Sequence, residues 1–228
     1  VVRRAFRERG HEAYSCDLLP SDDDSKYHYI GDVVPYINWT HWDLMIAHPP
    51  CTHLAVSGAR WFKDKQEEQK EALDFVKLLL DAPIEKIALE NPISIISSKI
   101  RKPDQIIQPW QFGHGETKAT CLWLKNLPKL IPTDIVEGRE AKVHRMPPGP
   151  NRWKERSRTY EGIAKAMSEQ WGEILKYRIR ITYNDYTERY IFVESDEPIV
   201  FDDFRIGDHL TGSATDNVIA LSILQDRY

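Results

Sequence analysis

Two short motifs in this chain combine residue types that can carry out covalent chemistry. A Pro-Pro-Cys sequence ends at Cys51 and supplies a thiol, and a Glu-Asn-Pro sequence begins at Glu90 and supplies a carboxyl group. Each motif follows an apolar run typical of a strand, residues 43–47 in the first case and 84–89 in the second. Because the carboxyl ends of parallel strands meet at one edge of a sheet, the two groups are expected to face the same ligand. A thiol nucleophile beside an acid predicts covalent catalysis.

Both groups also have a purely structural interpretation. A cysteine most often behaves as a small buried hydrophobe, which is what we expect of Cys16 and Cys121 in their apolar strands. Two prolines before Cys51 fix the backbone, and small polar residues follow it, which favours an exposed, rigidly held nucleophile. Glu90 either caps its strand in solvent or is partly desolvated and keeps its proton. In the second case it can donate that proton to a ring nitrogen.

A metal site is the competing interpretation of the first motif. His48 and His53 flank Cys51, so that the segment offers two imidazoles and a thiolate to zinc. Prolines lie between these groups and a fourth ligand is missing, which argues against zinc. The chain has three cysteines and no CxxC pair, so neither a disulfide framework nor a structural zinc site is indicated. We therefore predict no bound metal.

The composition of the 228-residue chain is that of a globular protein, with 41% hydrophobic residues. No apolar run reaches the roughly 18 to 20 residues needed to span a bilayer, and the N-terminus shows no signal peptide. These features predict a cytoplasmic protein without a membrane partner. The net charge of −4 gives no overall attraction to nucleic acid. Residues 142–158, however, carry six cations against one acidic side chain, which favours local binding of a polyanion, although a solvated loop has the same composition.

The order of the predicted elements indicates an α/β fold with a mainly parallel sheet and helices on both faces. Apolar periodicity predicts helices over residues 67–80 and 160–175. Strict alternation over residues 177–193 predicts a β-hairpin. Residues 218–224 fit either a strand or a helical turn. The chain after residue 177 is therefore interpreted as a small β-rich module, and five further strands are predicted at 11–16, 43–47, 84–89, 106–110 and 120–124.

The motifs at Cys51 and Glu90 resemble the paired motifs of DNA cytosine-5 methyltransferases, particularly compact phage-type members, and their separation is similar. The resemblance covers about residues 1–175 and implies a Rossmann-like, S-adenosylmethionine-dependent methyltransferase domain that acts on DNA. If a phage encodes the protein, it implies the host cytoplasm as its location. Residues 127–159 correspond to a shortened recognition segment, and residues 177–228 form an accessory module outside the resemblance.

The resemblance also implies roles for individual residues. Cys51 would attack C6 of a cytosine flipped out of DNA, Glu90 would bind and protonate N3, and C5 would then accept the methyl group. Lys118 is similar to a reduced form of the family's basic motif and completes the catalytic set. The implied cofactor-binding residues are Asp17 for the ribose, Asp32 near the adenine, Pro49 and Gly162. The predicted substrate-binding residues are Asn91, Arg145, Arg152, Arg156 and Trp153, the last as a stacking platform.

Two other functions compete with this interpretation. An amino-group methyltransferase shares the Pro-Pro turn but normally has an aromatic residue at the position of Cys51, so the thiol argues against it. The family's first strand and glycine-rich turn, expected before Val1, are missing, which predicts a fragment or a weakened cofactor binder. A catalytically inactive, methyltransferase-like DNA-binding or decoy protein is therefore the alternative function.

Overall fold

The computed structural model describes residues 1–149, 152–172, 175–183, 188–195 and 218–225. The chain divides into two compact units, one formed by residues 1–5 and 14–171 and one by residues 6–13 and 172–228. The predicted boundary between a domain ending at residue 175 and a module beginning at residue 177 stays a prediction. Within the described residues, no helix is both long and apolar enough to cross a membrane.

The first unit contains six strands. They are β1 (Ser15–Asp17), β2 (His28–Ile30), β3 (Leu44–Ala47), β4 (Lys86–Pro92), β5 (Gln105–Ile107) and β6 (Thr120–Lys125). The helices in chain order are α1 (Val2–Glu8, which extends into the second unit), α2 (Val33–Ile37), α3 (Gln66–Leu80), α4 (Ile96–Lys99), α5 (Lys142–Arg145), α6 (Arg152–Ser157) and α7 (Glu161–Trp171). Two 3₁₀ segments, Val56–Asp64 and Pro109–Gln111, complete the unit.

The prediction of a Rossmann-like, mainly parallel sheet is wrong. The larger sheet has the strand order β3-β4-β6-β5, and only β3 and β4 run parallel, while β6 is antiparallel to both of its neighbours. β1 and β2 form a separate parallel pair. The physical reason is the connections: α3 provides a crossover between β3 and β4, but no comparable helix follows β4 or β5. The connection from β5 to β6, residues 108–119, contains one short 3₁₀ segment and no α-helix, whereas parallel strands are usually joined through an α-helix.

The centre of the larger sheet is β4, and it forms the core together with α3. Ile87, Ala88 and Leu89 are fully buried in succession, as expected for a strand covered on both faces. The predicted helix over residues 67–80 is confirmed as α3, whose Val76 and Leu79 are buried in the same cluster. The second motif, Glu90 to Pro92, therefore forms the last three residues of this central strand.

The second unit contains a three-stranded antiparallel sheet. Its strands are β7 (Leu175–Tyr183), β8 (Glu188–Ser195) and β9 (Val218–Gln225), in the order β8-β7-β9. The predicted hairpin is confirmed by the antiparallel pairing of β7 with β8. Of the two alternatives for residues 218–224, the strand is correct.

Candidate active site

The parallel pairing of β3 with β4 brings the two motifs together. The register places Ala47 opposite Leu89, so the segment that follows β3 lies beside the last residues of β4, which begin at Glu90. His48 Nδ1 and Glu90 Oε2 lie 2.9 Å apart in a hydrogen bond. Asn91 Nδ2 donates to the carbonyl oxygen of Pro49 over 2.9 Å. The turn that carries the thiol is thus fastened to the end of β4 by two side-chain hydrogen bonds.

Cys51 begins a tight turn and its side chain is exposed. The backbone amides of Leu54 and Ala55 donate to the carbonyl oxygen of Cys51 over 3.1 and 2.9 Å. Ala55 then forms a β-bridge with Ser94, beyond the end of β4. Leu54 is fully buried and anchors the turn in the core. This arrangement leaves an accessible thiol on a backbone held at several points.

The other two cysteines differ from Cys51 in their surroundings. Cys121 is buried within β6, and burial together with the charge of Glu90 raises the pKa of its thiol. Cys16 is half-buried, and its Sγ donates to the carbonyl oxygen of Gly31 over 3.4 Å. Burial, followed by the charges of Asp17 and Asp32, raises the pKa of Cys16. Both thiols therefore remain protonated more readily than an ordinary cysteine.

The Glu90 carboxyl group is largely enclosed, with 16% of its side chain exposed. Burial alone would raise its pKa, but the hydrogen bond and charge of His48 and the charge of Lys118 outweigh burial. The pKa of Glu90 therefore lies below its ordinary value. The expectation that desolvation keeps this carboxyl group protonated is wrong, because the positive groups beside it stabilise the carboxylate.

Lys118 lies close to both members of the predicted catalytic pair. Its Nζ donates to the carbonyl oxygen of Arg158 over 3.1 Å and lies 5.7 Å from the centre of the Tyr160 ring. Burial lowers the pKa of Lys118, while the acidic groups of Glu90 and Cys51 act in the opposite direction. A half-buried cation therefore lies within electrostatic reach of the thiol and the carboxylate.

A second polar cluster adjoins Lys118, and residue spacing did not predict it. The Tyr160 hydroxyl donates to Glu116 Oε2 over 2.7 Å, and Lys142 Nζ forms an ion pair with Glu116 Oε1 at 3.1 Å. Burial, and then the hydrogen bond to Glu116, raises the pKa of Tyr160. The partners of Glu116 are 26 and 44 residues away in the chain, so no local motif reveals them.

The contact of His48 with Glu90 was not predicted from the sequence, where His48 was considered only as a zinc ligand and that interpretation was argued against. The signal that could have found this contact is strand register, since the pairing of Ala47 with Leu89 extends to His48 and Glu90. Within the residues whose placement is described, no group of three or more His, Cys, Asp or Glu side chains is arranged to hold a metal ion.

The predicted cofactor residues Asp17 and Asp32 lie at the carboxyl edge of the β1–β2 pair. Asp17 ends β1, and its Oδ1 accepts a hydrogen bond from the Leu19 amide over 2.9 Å. Asp32 caps α2, with its Oδ1 accepting from the Val34 amide over 2.9 Å. Both side chains are exposed, and each has a second carboxylate oxygen that can accept from a ligand. Their binding of a cofactor stays a prediction.

The other two predicted cofactor residues have structural roles of their own. A Cβ atom at Gly162 would lie 1.8 Å from the carbonyl oxygen of Phe112, so only glycine fits the start of α7. The Gly162 amide also donates to His114 Nε2 over 3.0 Å. The Pro49 carbonyl accepts from Asn91, as described above. Their contacts with a cofactor stay predictions.

The predicted substrate-binding residues lie on and around α6. Trp153 is exposed over 60% of its surface, and Arg145 is exposed as well. Arg152 Nε donates to the carbonyl oxygen of Met146 over 2.9 Å. Arg156 lies near enough to Lys118 to lower its pKa. Arg156 is therefore within electrostatic reach of Lys118.

Acidic side chains already pair with the remaining cations of the segment. Lys154 and Arg158 both form ion pairs with Asp22, at 2.5 and 3.2 Å. Lys142 is paired with Glu116. In the part of the chain that the structure describes, no carboxylate forms an ion pair with the other three cations, which are Arg145, Arg152 and Arg156.

No protein-family model matches the chain, and a search of curated proteins finds no significant match. Its function is therefore inferred from the geometry of the site.

Proposed function

We propose that the protein transfers a methyl group from S-adenosylmethionine to C5 of cytosine in DNA, with Cys51 as the nucleophile and Glu90 at N3 of the base. The observation that carries this proposal is the pairing of the two motifs at the end of β3 and β4. It is supported by the hydrogen bonds between His48 Nδ1 and the Glu90 carboxylate and from the Asn91 amide to the Pro49 carbonyl oxygen. An exposed thiol and an enclosed carboxyl group on adjacent strand ends suit attack on a planar ring.

The chemistry follows from the electronic structure of cytosine. As the sulfur of Cys51 bonds to C6, the electrons of the C5–C6 double bond move toward C5 and N3, and N3 takes up a proton. C5 is then nucleophilic. S-adenosylmethionine supplies the methyl group that C5 accepts. Loss of the C5 proton to water then expels the sulfur from C6, and release of the N3 proton restores the ring.

Lys118 lies where negative charge is present or develops during the reaction. It is within electrostatic reach of Cys51, which must be a thiolate to attack, and of Glu90, which faces the ring nitrogen. A fixed, half-buried cation stabilises such charge more than an exposed one does, because water screens it less. Lys118 therefore supports both the nucleophile and the addition step.

The cofactor would be held first by Asp17 and Asp32, whose free carboxylate oxygens fit the hydroxyl and amine donors of adenosine. On the substrate side, a cytosine in a duplex cannot present C6, so the base must leave the stack. Trp153 offers an exposed ring for a neighbouring base, and Arg145, Arg152 and Arg156 offer charge for the phosphates. Arg156 connects this surface to Lys118.

Trapping with an oligonucleotide that contains 5-fluorocytosine tests the proposal directly. Fluorine at C5 cannot leave as a proton, so the Cys51–C6 bond persists once the methyl group has been transferred. A denaturant-resistant adduct should form with S-adenosylmethionine, disappear in Cys51→Ser and weaken at least about 10²-fold in Glu90→Gln. Cys16→Ser is the matched control and should form the adduct normally.

Three results would contradict the proposal: an adduct in Cys51→Ser, loss of the adduct in Cys16→Ser alone, or no adduct in the unaltered protein. DNA binding without an adduct would instead favour the non-catalytic DNA-binding alternative. In that measurement, Arg152→Ala and Arg156→Ala should weaken binding equally for all sequences, as phosphate contacts do.

A further inference from the structure

The proposed reaction needs a proton at N3 of cytosine, yet Glu90 is ionised more readily than an ordinary glutamate. Its carboxylate is stabilised by His48 and Lys118, so the carboxyl group by itself carries little proton at neutral pH. A group beside Glu90 must therefore hold the proton before the base arrives.

His48 has the geometry of that group. Its Nδ1 lies 2.9 Å from Glu90 Oε2, while the other carboxylate oxygen, Oε1, accepts no hydrogen bond from the described residues. The His48 side chain is 36% exposed, against 16% for Glu90, so the imidazole connects an enclosed carboxylate with solvent. One oxygen of Glu90 is thus held by the imidazole, and the other remains available to a ring nitrogen.

Within the described residues, the titratable groups that interact with Glu90 besides His48 include Lys118, from the segment before β6, and Cys121, from β6 itself, while Cys51 is within electrostatic reach of Lys118. Burial and the charge of Glu90 raise the pKa of Cys121, and burial lowers the pKa of Lys118 against the opposing charges of Glu90, Cys51 and Glu116. Among the side-chain types around the carboxylate, histidine is the one that changes its protonation at physiological pH. Its 2.9 Å contact with Glu90 Oε2 makes His48 the group placed to supply the proton.

We propose that His48 and Glu90 act as one proton-holding pair, in which His48 supplies the proton that Glu90 presents to N3 of cytosine. This inference rests on the proposed function. It makes His48 a positioning and proton-supplying residue that acts through Glu90. The position of His48 also fixes one rotamer of Glu90, because the hydrogen bond leaves only the second oxygen free.

The proton balance of the pair closes over one turnover. Before addition, His48 is an imidazolium and Glu90 is a carboxylate. While the sulfur–C6 bond forms, the Nδ1 proton passes to the carboxyl group and the carboxyl group delivers one proton to N3. The pair then consists of a neutral imidazole and a carboxylate. When C5 loses its proton to water and the sulfur–C6 bond breaks, N3 returns its proton and the pair is restored.

Exchange of the C5 hydrogen of cytosine for solvent deuterium tests this pair without any cofactor. Addition of Cys51 at C6 with protonation at N3 makes C5 basic, so C5 takes up deuterium from water before the sulfur leaves. The measurement is the exchange rate in a cytosine-containing oligonucleotide from pH 5.5 to pH 9 for the unaltered full chain, His48→Asn and His48→Gln. An asparagine amide keeps a donor toward Glu90 but cannot release a proton.

In the unaltered chain we expect exchange that depends on Cys51 and that falls on the alkaline side as the pair loses its proton. In His48→Asn the alkaline limb should move to lower pH, and the rate at neutral pH should fall at least about tenfold. His48→Gln should behave in the same way if it folds. His41→Asn is the control, since His41 faces Asp43 at 3.6 Å in an exposed pair that precedes β3.

The outcomes separate the inference from the proposed function. If His48→Asn keeps the alkaline limb of the unaltered chain, or lowers the rate equally at every pH, His48 has only a structural role and the inference is wrong. The proposed function itself is wrong if the unaltered chain catalyses no exchange of the C5 hydrogen. It is also wrong if Cys51→Ala catalyses this exchange as fast as the unaltered chain.

Discussion

The side-chain amide of Asn91 donates to the carbonyl oxygen of Pro49 across a buried distance of 2.9 Å. This hydrogen bond ties the segment before Cys51 to the end of the central strand β4. Asn91 is 1% exposed, and its own Oδ1 has no hydrogen-bond partner within the described structure. Asn91 therefore serves the site by holding the turn in place, in addition to any contact with a substrate.

Replacing Asn91 by alanine should leave the Pro49 carbonyl without its donor. Because the carbonyl is enclosed, we expect a loss of about 1 to 3 kcal/mol in the free energy of unfolding, measured by urea denaturation. Asn38→Ala, the same change at an exposed position, should lower the free energy of unfolding much less. Equal losses in the two variants would show that the Asn91–Pro49 bond contributes nothing specific.

Gly162 gives a prediction that separates packing from cofactor binding. A Cβ atom there would lie 1.8 Å from the Phe112 carbonyl oxygen, whereas one at Gly58 would meet nothing within 4 Å. We expect Gly162→Ala to lower the free energy of unfolding by about 3 kcal/mol, and Gly58→Ala to be nearly neutral. Thermal unfolding without any ligand measures both. A stable Gly162→Ala protein that fails only in cofactor binding would contradict the packing explanation.

The three thiols should differ strongly in their rates of alkylation. Cys51 is exposed, whereas Cys121 is buried and Cys16 is half-buried, and the pKa values of the last two are raised. Because the thiolate is the reactive form, iodoacetamide at pH 7.5 should label Cys51 first, at least about tenfold faster than the others. Peptide mass mapping over time measures the order, and Cys51→Ser should remove the fast phase. Labelling of Cys121 before Cys51 in the folded chain would be incompatible with this structure.

The sequence was informative about Cys51 and Glu90 because each follows a buried strand and α3 lies between them. A strand pattern does not encode strand direction, however, so the antiparallel pairing of β6 was predicted wrongly. The lack of an α-helix between β5 and β6 was the available signal, since parallel strands are usually joined through an α-helix.

The protonation state of Glu90 could not be predicted from burial alone. It depends on His48, which strand register places beside it, and on Lys118, which comes from a different connection. Ion pairs between distant segments could not be predicted from the sequence either, because partners such as Arg158 and Asp22 are 136 residues apart. Local sequence determines which residues end a strand, but the charges around them come from the whole fold.

The hydrogen bond from Tyr160 to Glu116 predicts a change of stability at alkaline pH. Burial, and then Glu116, raises the pKa of Tyr160 above that of an unfolded tyrosine, which is about 10. The contribution of this hydrogen bond to the free energy of unfolding is therefore fully present below about pH 10. It is lost as the pH rises toward the pKa of Tyr160 in the folded protein. Tyr160→Phe should cost about 1 kcal/mol at pH 8, and this difference should shrink above pH 10 in urea titrations. Tyr36→Phe is the control, and a difference that does not change with pH would refute the coupling.

Asp22 is expected to compete with DNA for the basic segment. It forms ion pairs with Lys154 and Arg158, on either side of the half-buried Arg156, and so occupies cations that phosphate groups would otherwise contact. We therefore expect Asp22→Asn to increase affinity for a cytosine-containing oligonucleotide severalfold at low salt, with a steeper dependence on salt concentration, because more phosphate contacts release more counterions.

The matched control for this change is Asp24→Asn, which removes one negative charge from the same loop. Asp24 forms no ion pair with the basic segment in the described structure, and its positive φ of 43° is a conformation that asparagine tolerates. Fluorescence anisotropy at several salt concentrations measures both variants. If Asp24→Asn raises affinity as much as Asp22→Asn, only the net charge of the loop matters. If neither variant changes affinity, Lys154 and Arg158 do not contact DNA, and binding depends on Arg145, Arg152 and Arg156, which form no ion pair with a carboxylate of the described residues.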